Sequence, residues 1–260
     1  MSELRVSLIQ TNVARGAPAE NIASARRALD SLALSGEGPD LLLLPEFWTD
    51  PFTEESVPEE MAEWSKRALD EVCEACAEMG VFALAGSLPW RVDEGIAVRC
   101  WLVDDRGLRA GYYDKTHLFS SSGESEAFAA GSAPLFFSLN GFKCSVMTCY
   151  DIRFPEFGRS LGLCGTDVLF VNAQWPSARM HLWDLLLRAL AVHNQLYVAG
   201  CNCGEASMVV SPWGEVIAEA GSRELILSYT LRLSDVQKCR KSVSVSGDRR
   251  PDLYQLTTLV

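Results

Sequence analysis

A cysteine at the end of an apolar segment is the first residue whose position suggests chemistry. Cys149 follows the predicted strand 143–148 and directly precedes a predicted helix over 151–162. At such a turn, the backbone N–H groups and the positive end of the helix favour a thiolate and can bind an oxyanion. The alternative for a free cysteine is burial as a small hydrophobic residue.

A cysteine nucleophile needs a base beside it, because a thiol is mostly protonated at neutral pH. The chain has three histidines, and none lies in a pattern that favours a catalytic base: His117, His181 and His193. Glu46 is the better candidate, because it follows the apolar run 41–44 and α/β proteins bind ligands at the carboxyl ends of strands. A carboxylate that caps a helix is the alternative for Glu46.

Three short motifs contain Glu46, Lys115 and Cys149, in that order. They are Leu43-Leu44-Pro45-Glu46, Asp114-Lys115-Thr116-His117-Leu118-Phe119 and Cys149-Tyr150-Asp151-Ile152-Arg153-Phe154-Pro155-Glu156. Alone, Lys115 would be interpreted as a surface charge. In this order and spacing, the motifs resemble the glutamate, lysine and cysteine signatures of the nitrilase, or carbon–nitrogen hydrolase, superfamily. Further matches, such as Trp175-Pro176, extend over nearly the whole chain and are most similar to the omega-amidase branch.

This resemblance implies a role for each of the three residues. Glu46 would be the general base, Lys115 the stabiliser of the tetrahedral intermediate and Cys149 the nucleophile. A second carboxylate would orient the site, and the resemblance favours Glu124 over the alternative Glu126. The implied enzyme hydrolyses the amide C–N bond of a small molecule through a thioester and releases ammonia.

The resemblance to omega-amidases implies short dicarboxylate monoamides, such as 2-oxoglutaramate or 2-oxosuccinamate, as substrates. We expect the backbone N–H of Tyr150 to bind the oxyanion, Arg153 to bind the substrate carboxylate and Trp175 to line the pocket. A structural ion pair with Asp151 or Glu156 is the alternative for Arg153. The same scaffold could instead act on a nitrile, an N-carbamoyl amine or deaminated glutathione, or serve as a non-catalytic binding protein.

Helical and apolar periodicities predict a strand, a helix and a second strand before Glu46. The run 41–44 is apolar at every position, which indicates a strand buried on both faces. Asn140-Gly141 between two short strands predicts a hairpin. These patterns alone favour a doubly wound parallel sheet. The resemblance implies instead an α/β fold of four layers, an α-β-β-α sandwich, in a homodimer in which the sheets of two protomers form the extended four-layer core.

Composition limits the other classes of function. The chain has 260 residues, of which 48% are hydrophobic and 22% charged, as in ordinary globular proteins. This length fits one large domain or two small ones, and the resemblance implies a single domain over 1–260, with 238–260 as a C-terminal arm. The net charge of −11 argues against nucleic acid and anionic membranes as partners.

The apolar runs and the cysteines complete the sequence-based prediction. No apolar run approaches the roughly 18–20 residues of a membrane helix, and the first residues lack the pattern of a signal peptide. Nine cysteines without a regular framework indicate reduced thiols. We therefore predict a cytoplasmic protein. Cys73 and Cys76 form an isolated pair without a second pair to complete a zinc site, so we predict no metal. We also predict no organic cofactor.

Overall fold

The computed structural model describes residues 2–34, 38–222 and 226–254, which contain two six-stranded sheets. The first sheet has the spatial order β12-β1-β2-β3-β4-β5. Its strands are β1 (Glu3–Ile9), β2 (Leu41–Leu43), β3 (Phe82–Val92), β4 (Gly95–Val103), β5 (Arg109–Asp114) and β12 (Ile226–Arg232). Strands β1, β2 and β3 are parallel, and the remaining pairs of this sheet are antiparallel.

The second sheet repeats this plan with the spatial order β11-β10-β9-β8-β7-β6. Its strands are β6 (Phe136–Leu139), β7 (Phe142–Thr148), β8 (Val168–Ala173), β9 (Tyr197–Asn202), β10 (Met208–Val210) and β11 (Val216–Glu219). Strands β7, β8 and β9 are its parallel centre. Asn140 and Gly141 connect β6 to β7 with positive φ angles of 50° and 86°, which confirms the predicted hairpin.

The described part of the chain also forms six α-helices. They are α1 (Pro18–Leu34), α2 (Pro58–Met79), α3 (Glu124–Ala127), α4 (Pro155–Leu163), α5 (Met180–Asn194) and α6 (Leu233–Ser242). The buried faces of α1 and α2 pack on the first sheet, and those of α4 and α5 pack on the second. The inner faces of the two sheets pack on each other in one hydrophobic core.

Strand β2 and the residue after it show why the run 41–44 is apolar throughout. Leu41 and Leu43 belong to the core between the sheets, whereas Leu42 and Leu44 pack among the residues of α1 and α2. The layer that covers one face of β2 is therefore the second sheet. The doubly wound prediction was wrong on this point, and the α-β-β-α prediction is confirmed. All four layers lie within one chain, so the expectation that they need the sheets of two protomers is corrected.

Two other predicted segments differ in detail from the structure. The predicted helix over 151–162 is a 3-10 helix, Cys149–Arg153, followed by α4. The break falls at Phe154, which is extended because Pro155 follows it. In the predicted C-terminal arm, residues 238–242 are the end of α6, and residues 255–260 lie outside the described ranges.

The first residue of the predicted strand 225–229, Leu225, also lies outside the described ranges. Among the helices described above, none combines the length and the apolar character that crossing a membrane requires.

Candidate active site

Glu46 lies three residues beyond β2, at the carboxyl end of the parallel strands, and its side chain is only 1% exposed. The Gln174 N–H donates a hydrogen bond to Oε2 at 3.0 Å, which fixes the carboxylate against the end of β8. Gly86 makes the local path possible, because a Cβ there would lie 2.1 Å from the carbonyl oxygen of Pro45. The chain thus holds the Glu46 carboxylate inside the protein and between the two sheets.

The Lys115 side chain is fully buried and reaches the Glu46 carboxylate from the first sheet. Lys115 follows β5, and its Nζ lies 2.8 Å from Glu46 Oε1 and 2.7 Å from Glu124 Oε2. One ammonium therefore bridges two buried carboxylates. A buried charge is costly unless it is paired in this way.

Glu124 and Glu126, the two alternatives for the second carboxylate, lie in different environments. Glu124 is the first residue of α3, and its Oε2 also accepts a hydrogen bond from the Phe119 N–H at 2.9 Å. Glu126 is exposed to solvent. Of these two side chains, Glu124 is the one that contacts Lys115.

Cys149 stands at the turn between β7 and the 3-10 helix with a φ of 46°. A non-glycine residue in this left-handed region costs about 1–3 kcal/mol, so the surrounding contacts must hold it. The Thr148 N–H donates to Asp151 Oδ2 at 2.8 Å, in a capping box that closes the turn. Half-buried, the Cys149 side chain contributes to the wall of a pocket.

Asp151 also joins this turn to the segment that carries Lys115. Its Oδ2 accepts a hydrogen bond from the Tyr113 hydroxyl at 2.6 Å, and its Oδ1 accepts one from the His117 N–H at 3.0 Å. The His117 ring contacts the same carboxylate at 2.8 Å and stacks on Phe154. Asp151 thereby fixes the positions of the cysteine and the lysine relative to each other.

The electrostatics of the cluster decide where its protons lie. Burial, the charge of Glu46 and a hydrogen bond to Glu46 raise the pKa of the Cys149 thiol well above its usual range, although the charge of Lys115 acts against them. Burial lowers the pKa of Lys115, but attraction to the carboxylates of Glu46 and Glu124 more than offsets this and raises it overall. The resting site therefore contains a neutral thiol beside an ammonium ion.

The pKa of Glu124 is also shifted. Burial and the charge of Glu46 raise it above its usual range, while Lys115 partly offsets the increase. These groups titrate as one coupled set, so a proton that leaves one of them affects all the others.

A pocket of about 300 Å³ opens onto this cluster. Its lining includes Glu46, Glu124 and Cys149 together with the residues that the sequence predicted as substrate contacts: Tyr150, Arg153 and Trp175. The volume is at the lower end of the range for small-molecule sites, so a ligand of about ten non-hydrogen atoms fits it better than a large one.

The three predicted substrate contacts have different surroundings. The Tyr150 ring packs against Phe119, with centroids 4.8 Å apart. The Arg153 guanidinium lies over the Trp175 ring, 5.0 Å from its centroid. In the described ranges, no carboxylate lies within ion-pair distance of Arg153, so its alternative pairing with Asp151 or Glu156 is not observed.

Sequence reasoning missed several pocket residues, among them Gln174 and Arg179. Gln174 follows β8 directly, so the rule that selected Glu46 could also have selected it. Arg179 comes from the 3-10 turn after Trp175, and no pattern in the sequence indicates that it faces the pocket. Cys203 also lines the pocket, and its thiol donates to the backbone oxygen of Glu46 at 3.3 Å.

Neither His117 nor another histidine contributes to the lining of the pocket. Within the described part of the chain, no group of three or more metal-binding side chains is found.

Comparisons with known proteins agree with this geometry. The family model for carbon–nitrogen hydrolases matches residues 5–241. A 2-oxoglutaramate amidase of Bacillus subtilis is 34% identical over 258 residues, which cover 96% of this chain and 98% of that protein.

Two solved structures are similar in fold as well as in sequence. A carbon–nitrogen hydrolase superfamily protein from Xanthomonas campestris, with an arsenic adduct in its active site, has a TM-score of 0.87 and 28% identity over 96% of this chain and 98% of that one. A glutamate-to-glutamine mutant of a Nesterenkonia amidase, whose active-site cysteine carries the acetamide moiety of fluoroacetamide, has a TM-score of 0.81 and 25% identity over 97% and 95%.

Proposed function

The chain belongs to the carbon–nitrogen hydrolase family and hydrolyses amides, and we propose that its substrates are omega-amides of short dicarboxylates, of the 2-oxoglutaramate or 2-oxosuccinamate type. One observation carries the proposal: a single buried ammonium bridges two buried carboxylates beside a cysteine held in a left-handed conformation. The similarity to a 2-oxoglutaramate amidase over almost the full chain supports the substrate class.

In the first half of the reaction, the Cys149 sulfur attacks the amide carbon while Glu46 takes the thiol proton. The raised pKa of Cys149 places this proton on sulfur before the attack, so the transfer belongs to the same step. The ammonium of Lys115 and the backbone N–H of Tyr150 stabilise the oxyanion. Glu46 then donates the proton to the departing nitrogen, the C–N bond breaks, and ammonia leaves a thioester on Cys149.

In the second half, water attacks the thioester carbon and Glu46 takes a proton from it. The C–S bond breaks, the carboxylic acid leaves, and the proton returns to sulfur. Glu124 keeps Lys115 in place throughout, because its oxygen lies 2.7 Å from the ammonium. The reaction consumes one amide and one water and yields one acid and one ammonia.

The substrate carboxylate binds at the other end of the pocket, at Arg153. The guanidinium is available for a ligand, because it lies over Trp175 and Asp151 is already bound by Tyr113 and His117. Trp175 is itself 6% exposed and forms an apolar wall beside the bound chain of the substrate.

Ammonia release from 2-oxoglutaramate, a nitrile and an N-carbamoyl amino acid tests this proposal. We expect turnover of 2-oxoglutaramate and little of the other two. Intact-mass spectrometry during turnover should show an acyl group on the wild type and none on Cys149→Ala. Absence of ammonia from 2-oxoglutaramate, with release from either of the other compounds, would overturn the substrate class.

We also propose that the protein acts as a homodimer. Helix α5 and the adjacent turn expose three large apolar side chains, Leu185, Val192 and Trp213, at 59%, 46% and 50%. Gly214 packs against Val192, so the turn and the helix form one surface. Light scattering during size-exclusion chromatography tests this, and a mass of 28.6 kDa at micromolar concentration would contradict it.

A further inference from the structure

The pocket contains a second guanidinium that the proposed mechanism does not use. Arg179 lies in the 3-10 turn Ser177–Arg179, and its guanidinium is 5.3 Å from the centroid of the Phe119 ring. Both Arg179 and Phe119 line the same pocket as Cys149. In the part of the chain that the structure describes, no carboxylate forms an ion pair with Arg179, so its charge is uncompensated by the protein.

The two pocket arginines share one support. The Trp175 ring lies beneath the Arg153 guanidinium, and the Trp175 indole N–H donates to the backbone oxygen of Arg179 at 2.8 Å. The Trp175 backbone is itself fixed, since its N–H donates to Asn202 Oδ1 at 2.7 Å. A single buried tryptophan therefore contacts the guanidinium of Arg153 and the backbone of Arg179.

The charges around the pocket point to the ligand. Counted by formal charge, the three cations Lys115, Arg153 and Arg179 exceed the two carboxylates of the site by one, which gives a formal net charge of +1. The chain as a whole carries −11, so this positive charge is local. A ligand with one negative charge would neutralise the site, and a planar guanidinium binds a carboxylate with two hydrogen bonds.

We propose that Arg179 is a specificity residue that acts together with Arg153 to bind the far carboxylate of the substrate. This inference rests on the proposed function, because it names the group that distinguishes a monoanionic omega-amide from a neutral one. Arg153 contacts the carboxylate from the side of Trp175 and Arg179 from the side of Phe119. The amide end of the substrate is then directed towards Cys149.

A pair of isosteric substrates tests the role of Arg179. Glutaramate and glutaramide have the same skeleton, but the second carries a neutral amide where the first carries a carboxylate. We expect wild-type kcat/KM to favour glutaramate, and Arg179→Met to lower the ratio of the two values by about 10- to 100-fold, the effect of losing a hydrogen bond to a charged group. The main change should be a higher KM for glutaramate.

Arg67→Met is the matched control. Arg67 also lies over a tryptophan ring, 5.8 Å from the centroid of Trp64, but it is exposed and outside the pocket. This variant changes the net charge by the same amount, so the ratio should stay at its wild-type value. An equal fall of both kcat/KM values in Arg179→Met, or a wild type without preference for glutaramate, would overturn the assignment.

A binding measurement separates this inference from the proposed function. Calorimetric titration of Cys149→Ala with 2-oxoglutaramate requires no turnover, and we expect Cys149→Ala/Arg179→Met to bind it about 10- to 100-fold more weakly. Equal affinities would refute the role of Arg179 even in an active amidase. A wild type that hydrolyses no omega-amide would refute the proposed function, while the titration would still decide whether Arg179 binds the anion.

Discussion

Two clusters, each made of one cation and the carboxylates paired with it, lie on either side of the first sheet of this protein. They differ mainly in their exposure to water. In the buried cluster, the Lys115 side chain is 0% exposed and contacts Glu46 and Glu124. In the surface cluster, Arg26 of α1 is 22% exposed and contacts Asp30 and three glutamates of α2: Glu71, Glu74 and Glu78.

Ion pairs of the same residue types contribute differently to stability and to chemistry when they are buried and when they are exposed. Water screens the surface cluster, so each of its pairs contributes little to stability. The buried cluster has lost its hydration, and replacing such a cluster by apolar residues is often neutral or stabilising. Its presence is therefore better explained by chemistry, since in a low dielectric the ammonium acts strongly on the thiol and on an oxyanion.

Glu46→Gln is expected to cause the largest functional loss. The change preserves the shape of the side chain but removes the base, so kcat should fall by about 10²–10⁴. Loss of one hydrogen bond to Lys115 or Gln174 costs about 1–3 kcal/mol, so the thermal unfolding midpoint should fall by only a few degrees. Ammonia release and circular dichroism measure the two effects, and activity within a few-fold of wild type would place the base elsewhere.

Lys115→Met is expected to damage both activity and stability. Loss of one oxyanion donor typically costs about 10²–10³ in rate. The variant also leaves Glu46 and Glu124 buried without a cation, at a cost of about 3–5 kcal/mol in the free energy of unfolding. Lys238→Met is the control, because Lys238 is 74% exposed and pairs only loosely with Asp235 at 3.6 Å.

The stability of Lys115→Met should also depend on pH. Lys115 offsets part of the increase in the pKa of Glu124, so its removal raises that pKa further. A carboxyl group with a raised pKa in the folded state stabilises the fold below its unfolded pKa and loses this effect as pH rises. Urea denaturation should therefore show a smaller loss relative to wild type at pH 5 than at pH 8, and the opposite order would contradict the assignment.

The raised pKa of Cys149 leads to a prediction in which a damaging substitution increases reactivity. After burial, the charge of Glu46 is the largest cause of the increase, and the charge of Glu124 and a hydrogen bond to Glu46 add smaller contributions. In Glu46→Gln the pKa of the Cys149 thiol should fall. At a pH below that pKa, each unit of decrease in the pKa raises the thiolate fraction about tenfold. Alkylation of Cys149 by iodoacetamide at pH 8, followed by peptide mass mapping, should therefore be faster than in wild type.

Glu124→Gln provides the comparison for this effect, because Glu124 contributes less to the shift than Glu46. It should accelerate alkylation by a smaller factor. Slower alkylation in Glu46→Gln than in wild type would mean that Glu46 assists the loss of the thiol proton even towards an alkylating agent.

The buried cluster could be predicted from the sequence further than the fold that holds it. Glu46, Lys115 and Cys149 each follow a recognisable strand, and their motifs recur in a known order. The residues alone did not distinguish a second sheet from a layer of helices, because Leu41 and Leu43 are equally apolar beneath either. Only the resemblance to a family supplied that part of the fold.

Arg179 shows why other parts of the site could not be predicted. Its approach to the pocket depends on the hydrogen bond from the Trp175 indole and on the position of Phe119. The first contact is local, but the second joins segments far apart in sequence, and a lone arginine after a proline carries no signal for it. The cytoplasmic location stays a prediction, since it comes from the apolar runs, the first residues and the cysteines and not from any feature of the site.

Arg26→Met completes the comparison and should have the smallest effect. It removes every ion pair of the surface cluster at once, yet exposed pairs contribute about 0.2–1 kcal/mol each and lose much of this in salt. We expect the free energy of unfolding to fall by about 1 kcal/mol in low salt and by less in 0.5 M sodium chloride, with amide hydrolysis unchanged. Urea denaturation at the two salt concentrations measures this. A loss of 3 kcal/mol or more, insensitive to salt, would show that the surface cluster stabilises the fold as a buried one does, and the distinction between the two clusters would fail.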